Sequence, residues 1–211
     1  MTGKLIIVRH AESWWNAEGK WTGTTDVHLS PKGQHEAELM GKALSDLSFD
    51  QAYVSEQTRT TETLQGILKS SPTPNVPVTV ASALNERDYG TYTGKNKWQV
   101  KDEIGEAAFQ DLRRSWDYPV PEGETIKAVY ERAVPYFHST ILPQLAAGKS
   151  VLIVAHGNSI RALIKYLESV SDTDISQIEM IFGTALLYEV DADGRMTTKV
   201  VRTIDSPPPP A

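Results

Sequence analysis

Two uninterrupted apolar runs constrain the fold of this chain more than anything else in its sequence. Leu5-Ile6-Ile7-Val8 and Val151-Leu152-Ile153-Val154 show no alternation between apolar and polar residues. Neither therefore suits a strand with one wet face, and both suit strands covered on two sides in a parallel sheet. Helical patterns lie between and after them. Ser30-Pro31 supplies an N-cap followed by proline at the first helical position, and Ala37, Met40, Leu44 and Leu47 then recur at three- and four-residue steps. Ile126, Val129, Ala133, Phe137 and Ile141 form a second stripe, which Pro135 is expected to kink, and Ile160, Leu163, Ile164 and Leu167 form a third. This succession of strands and helices predicts an α/β sandwich. Residues 185–190 and 197–201 flank Asp191-Ala192-Asp193-Gly194 and read as a hairpin.

Residues 70–77 and 117–124 are rich in helix breakers and read as surface loops, neither long enough to separate domains. For 211 residues the expectation is one domain over residues 1–205, with the proline run at 206–211 as an extended, flexible tail. The 21 Lys and Arg are outnumbered by 27 Asp and Glu, a net charge of −6, which argues against a broad basic face for nucleic acid or anionic lipid. Any anion site must be local. With no cysteine there is no disulfide framework, thiolate metal site or cysteine nucleophile. The apolar runs fall far short of the roughly 18 residues that span a bilayer, and no signal-peptide core is seen, so the expected location is cytoplasmic.

Each apolar run ends near a histidine: His10 follows Arg9, and His156 follows Ala155. In open parallel sheets ligands bind beyond the carboxyl ends of the strands, where the start of a following helix offers free N–H groups to an anion. Two imidazoles in that position are able to meet over one phosphate, though sequence alone does not prove that they converge. A single strand-end histidine is more often a hydrogen-bonded structural residue, but two in matched contexts shift the balance. Arg9, and Arg59 on a helix over 58–69, suit an ion pair or a solvated face as well as a phosphate clamp, because guanidinium forks match phosphate oxygens.

Arg9-His10-Ala11-Glu12-Ser13, Ser55 with Arg59, Leu84-Asn85-Glu86-Arg87-Asp88-Tyr89-Gly90 and His156-Gly157-Asn158-Ser159-Ile160-Arg161 together resemble the histidine phosphatase superfamily, and within it cofactor-dependent phosphoglycerate mutase. Trp21-Thr22-Gly23-Thr24-Thr25-Asp26-Val27 and Arg113-Arg114-Ser115-Trp116-Asp117 add mutase-like blocks. The resemblance runs over residues 4–190 and implies a three-layer α/β/α sandwich with a mostly parallel central sheet. It implies that His10 is the nucleophile and carries a phosphoryl group as phosphohistidine, that Arg9, Arg59 and His156 hold the transferring oxygens, and that Glu86 is general acid and base. The chemistry is sound, since a neutral imidazole attacks phosphorus without first losing a proton. Tyr89, Lys97, Arg113 and Arg114 match positions that bind the substrate away from phosphorus. Ser13, Asn16, Thr22, Gly23, Gly157 and Asn158 match further contacts to phosphate or substrate, where the polar side chains equally suit caps and turns.

The implied reaction interconverts 2- and 3-phosphoglycerate in glycolysis and gluconeogenesis, with 2,3-bisphosphoglycerate as phosphoryl primer and no metal. The implied partner is a small phosphorylated molecule, with no nucleic acid and no membrane; monomer and homo-oligomer both stay open. Two other functions fit the same residues: a phosphomonoesterase, in which water takes the phosphoryl group, and a non-catalytic phosphate-ligand sensor. Ala11 stands where the family has glycine, and Phe182-Gly183-Thr184-Ala185 stands where mutases read Thr-Gly-x-Pro, so no site residue is assigned there. Gly148-Lys149-Ser150 resembles the end of a P-loop but precedes a strand and reads as a helix-terminating turn. Trp14, Trp15 and Trp21 read as core or cavity-wall packing, and His28, His35 and His138 as surface residues.

Overall fold

The computed structural model describes residues 2–180 and 182–205, and the expected tail at 206–211 lies outside the described residues. β1 (Gly3–Arg9) leads to a single helical turn, α1 (Trp14–Ala17), and then to α2 (Pro31–Ala43). β2 (Gln51–Val54), α3 (Thr58–Leu68) and β3 (Val78–Val80) follow. Beyond them come α4 (Lys97–Ile104), α5 (Glu106–Arg114), α6 (Ile126–Tyr136) and α7 (Leu142–Ala146). β4 (Ser150–Ala155), α8 (Gly157–Leu167) and the strands β5 (Thr184–Val190) and β6 (Met196–Thr203) complete the described chain.

The six strands form one sheet in the order β3-β2-β4-β1-β5-β6. The first four are mutually parallel, β5 runs antiparallel to β1, and β6 pairs with β5 as the expected hairpin. The central strands show why unbroken apolar runs were required. Leu5, Ile7, Val151 and Ile153 pack with Ala133, Phe137 and Leu163 on one face, while Ile6, Val8, Leu152 and Val154 pack with Met40, Leu44, Leu64 and Ile67 on the other. Each such fully buried side chain is worth about 1.5–3 kcal/mol. Register then aligns the two histidines: Arg9 pairs with Ala155 across β1 and β4, so His10 and His156 leave the same sheet edge side by side.

Helix signals behave as read, with instructive exceptions. Ser30 accepts the Gly33 N–H at 3.0 Å and starts α2. Pro135 has no N–H for the ladder, and the expected kink takes the form of a π-helical turn at Phe137–Ile141 that leads into α7. The helix N-terminus expected behind each histidine exists only behind His156, because His10 is followed by a loop and the four residues of α1. β2 and β3 were not anticipated; at four and three residues they are too short to show a period. Trp21, Tyr89, Val100, Phe109, Leu112 and Val120 form a satellite core that mounts α4 and α5. Trp21 thus packs as expected, whereas Trp14 is 50% exposed and belongs to no core.

Candidate active site

A cavity of about 340 Å³ lies at the carboxyl ends of β1 and β4. His10 lines its floor, and the His156 ring stands beside it at 4.9 Å, both buried. The two imidazoles are held differently. His10 Nδ1 donates to the Ala11 carbonyl at 2.7 Å, which puts the proton on Nδ1 and leaves the lone pair on Nε2. Burial, reinforced by Arg59 and Arg9, holds the His10 pKa well below the usual histidine value, so the ring is neutral at pH 7. His156 Nε2 meets Ser55 Oγ at 2.7 Å. Ser55 Oγ also accepts the Gln57 N–H at 3.1 Å and lies 3.0 Å from Thr60 Oγ1, whose proton goes to the Gln57 carbonyl. His156 Nδ1 is a buried atom with no partner. Burial, then Arg59 and His10, hold the His156 pKa well below its usual value as well.

Arg9 and Arg59 flank the pair. Arg9 Nη1 donates to the Met180 carbonyl at 2.6 Å, and the guanidinium lies 3.6 Å over the Phe182 ring. Arg59 donates to the carbonyls of Thr25 and Gly23, each at 3.0 Å. Burial lowers both arginines to about 10, and both stay charged at neutral pH. The Nε of each is buried without a partner. Glu86 Oε1 accepts the N–H groups of Arg87 (2.8 Å) and Asn158 (3.2 Å), which aims the carboxyl into the cavity it lines. Asn158 Nδ2 donates to the Tyr89 hydroxyl at 2.8 Å. A Cβ at Gly157 would stand 3.7 Å from Arg9 Cζ, in ordinary contact with that guanidinium.

The roof comes from the satellite core. Lys97 opens α4, and Arg113 and Arg114 close α5, a helix end from which consecutive residues both reach the cavity. Burial, then Arg9 and Arg113, lower Lys97 to about 8. Arg114 is already paired with Glu179 at 2.5 Å.

Of the fifteen residues singled out from sequence, thirteen line the cavity. His156 lies beside His10, and Ser13 stands apart. The Ser13 hydroxyl donates to Asn16 Oδ1 at 2.8 Å and caps α1, so it touches the cavity only through Asn16. Arg87, next to Glu86 in sequence, is fully buried and donates to the carbonyls of Glu124 and Leu112. The Ala11 methyl packs with Leu29 and Ala37, so the departure from glycine is accommodated. Sequence reasoning missed Phe182, which replaces the mutase pattern and stands edge-on to His10 at 5.9 Å. It also missed Arg161, whose Nη1 fixes the Asn158 amide at 2.6 Å; its place inside the His156 block was the available signal.

Seven cationic side chains against two carboxylates line the cavity of an acidic protein. With three unpartnered buried nitrogens on its floor, the site suits a tetrahedral oxyanion there and a second anionic group under the roof. Among the described residues no group of three or more His, Cys, Asp or Glu is placed to hold a metal ion.

Fold and site together define a phosphoryl-transfer protein built on paired strand-end histidines. Residues 5–205 match the family model of the histidine phosphatase superfamily (branch 1), and the chain belongs to that superfamily. It is 39% identical to the 2,3-bisphosphoglycerate-dependent phosphoglycerate mutase 2 of Gloeobacter violaceus, over 98% of this chain and 96% of that one. It is 42% identical to the 2,3-bisphosphoglycerate-dependent phosphoglycerate mutase of Cytophaga hutchinsonii, over 88% and 86%. Among solved structures, Bacillus stearothermophilus YhfR superposes with a TM-score of 0.81 at 26% identity, covering 92% of this chain and 94% of that one. A mycobacterial glucosyl-3-phosphoglycerate phosphatase shares the fold at a TM-score of 0.80 and 18% identity, covering 98% and 100%.

Proposed function

We propose that residues 1–205 form a catalytic unit that interconverts 2- and 3-phosphoglycerate through a phosphohistidine at His10. The observation that carries this reading is the division of the cavity: a floor with a free imidazole lone pair amid oxyanion donors, and a separate cationic roof for the rest of an anionic substrate. Identity near 40% to proteins named as bisphosphoglycerate-dependent mutases supports it. The unpartnered Arg9 Nε, Arg59 Nε and His156 Nδ1 and the roof cations fit a ligand with two phosphates, such as 2,3-bisphosphoglycerate. When bound, that molecule supplies the phosphoryl group that charges His10.

His10 Nε2 attacks phosphorus, and the bond from phosphorus to the leaving oxygen breaks. Arg9, Arg59 and His156 hold the equatorial oxygens, as electrostatic catalysis of phosphoryl transfer requires. Glu86 protonates the leaving oxygen and, in the return step, takes the proton from the accepting hydroxyl. Lys97, Arg113 and Arg114 hold the substrate carboxylate or second phosphate. Asn16, Thr22, Gly23, Tyr89, Gly157 and Asn158 complete the contacts around it. A cytoplasmic location accompanies this reading, and no helix among the described residues is long and apolar enough to cross a membrane.

The test is a phosphorus NMR assay of isomerisation with and without 2,3-bisphosphoglycerate, with inorganic phosphate measured in parallel. Isomerisation stimulated by bisphosphoglycerate is expected; its absence overturns the proposal. Hydrolysis is the second reading because Phe182, in the segment that departs from the mutase pattern, stands against Arg9 and His10. Phosphate release outrunning isomerisation would establish it.

A further inference from the structure

Gln57 immediately precedes α3 and is 3% exposed, and both ends of its amide are used. Nε2 donates to the Gly23 carbonyl at 2.8 Å, while Oε1 accepts the Glu86 N–H at 2.8 Å. The Gly23 carbonyl also receives Arg59 Nη2, and the backbone N–H of Gln57 donates to Ser55 Oγ, the partner of His156. One side chain thus joins three segments of the cavity: the turn at Gly23, the helix start that bears Arg59, and the loop that bears Glu86. Its orientation is unique, because a flipped amide would set N–H against the Glu86 N–H and oxygen against the Gly23 carbonyl. Packing alone does not call for such a group, since an apolar side chain fills buried space without the cost of desolvating an amide.

We propose that Gln57 is a positioning residue for the acid–base step: it fixes the Glu86 main chain against the floor so that the carboxyl meets the oxygen leaving phosphorus. The inference rests on the reading of Glu86 as acid and base. Glu86 is held at two points, its N–H by Gln57 and its Oε1 by the N–H groups of Arg87 and Asn158. Release of the first lets the carboxyl drift, and proton transfer tolerates little drift. The consequence is selective. As the His10 Nε2–phosphorus bond forms and the ester bond breaks, an alkoxide leaving group must take a proton from Glu86, whereas a dinitrophenolate departs with its electron pair unaided.

The experiment compares single-turnover phosphorylation of His10 by 2,3-bisphosphoglycerate and by 2,4-dinitrophenyl phosphate, in wild type, Gln57→Met, Gln57→Glu and Glu86→Gln, with thermal midpoints recorded. Glu86→Gln should slow transfer from bisphosphoglycerate about 10²–10⁴-fold and Gln57→Met about 10–100-fold, both leaving the dinitrophenyl ester within about 3-fold. Gln57→Glu keeps the acceptor for the Glu86 N–H and regains the donor when its carboxyl is protonated, so its rate with bisphosphoglycerate should recover as pH falls. That variant carries the test if Gln57→Met does not fold. Equal slowing of both donors, or none, in the Gln57 variants while Glu86→Gln stays selective overturns the role of Gln57 alone. An unselective Glu86→Gln overturns the acid–base reading and this inference with it.

Discussion

The floor and the roof of the cavity hold cations by different means. The floor is set by the main sheet: His10 and His156 follow neighbouring parallel strands in fixed register, and Arg9 is itself the last residue of β1. Behind them, residues 5–8 and 151–154 are buried and alternate between the two cores, so a shift of one histidine relative to the other would have to break both. The roof rests on the small cluster around Phe109 and Leu112, and its charges stand at helix ends: Lys97 at the start of α4, Arg113 and Arg114 at the finish of α5. A rigid floor suits bond making, where ångström placement governs rate, and a less deeply anchored roof suits capture and release of substrate. The difference predicts that floor substitutions damage turnover and roof substitutions damage binding.

The largest effect should come from His10→Ala, which removes the attacking lone pair and should lower turnover by at least about 10⁴-fold. Mass spectrometry of alkali-quenched enzyme should find an acid-labile phosphoryl adduct in wild type and none in the variant. Turnover that survives in His10→Ala would break the comparison at its foundation. Next, Arg113→Ala should raise KM about 10–100-fold with kcat changed less than about 3-fold, the signature of lost ground-state binding measured by steady-state kinetics. A fall in kcat with unchanged KM would move Arg113 from roof to reaction centre.

These two regions were unequally legible in the sequence. The floor could be read locally, because runs such as Ile6-Ile7-Val8 and Leu152-Ile153-Val154 state their double burial and deliver His10 and His156 to one edge. The roof came only through resemblance, since Lys97, Arg113 and Arg114 look like ordinary solvated helix charges until Trp21 and Phe109 anchor their helices. The contacts that escaped were polar and buried. Gln57 carries no periodic signal, while Ser55 and Arg161 stood in the matching blocks without a role, because their partners, a histidine 101 positions from Ser55 among them, are set only by the fold. β3 escaped for another reason: Val78 and Val80 are 47% and 59% exposed on an edge strand, so burial leaves no mark on their pattern.

The roof also titrates where the floor does not. With Lys97 lowered to about 8, kcat/KM should fall about tenfold per pH unit above that value as the ammonium that binds the substrate anion is lost. Lys97→Arg, charged throughout this range, should move the alkaline limb to higher pH in a kcat/KM profile. A limb that stays put assigns it to another group.

The smallest effect separates the two regions by stability alone. His10 and His156 are held neutral in the fold, chiefly by burial, so the unfolded chain binds protons near pH 6.5 that the folded chain refuses. Their contribution to stability is complete above about pH 6.5 and is lost as pH falls toward their depressed folded values, with a slope of up to about 1.4 kcal/mol per pH unit for each ring. Lys97 acts in a different window: its folded value of about 8 lies below the ordinary 10.5, so stability rises with pH between those values, where the unfolded chain still holds the proton that the folded chain has lost. His28, exposed and paired with Glu62, is raised and opposes the buried rings near neutrality, but it cancels when variants are compared with wild type. Urea unfolding of wild type and His156→Asn from pH 5 to 7 should show a shallower acid slope in the variant, while Lys97→Met flattens only the alkaline window. Identical acid slopes would mean that His156 takes up its proton within the fold and stands there as a charged imidazolium.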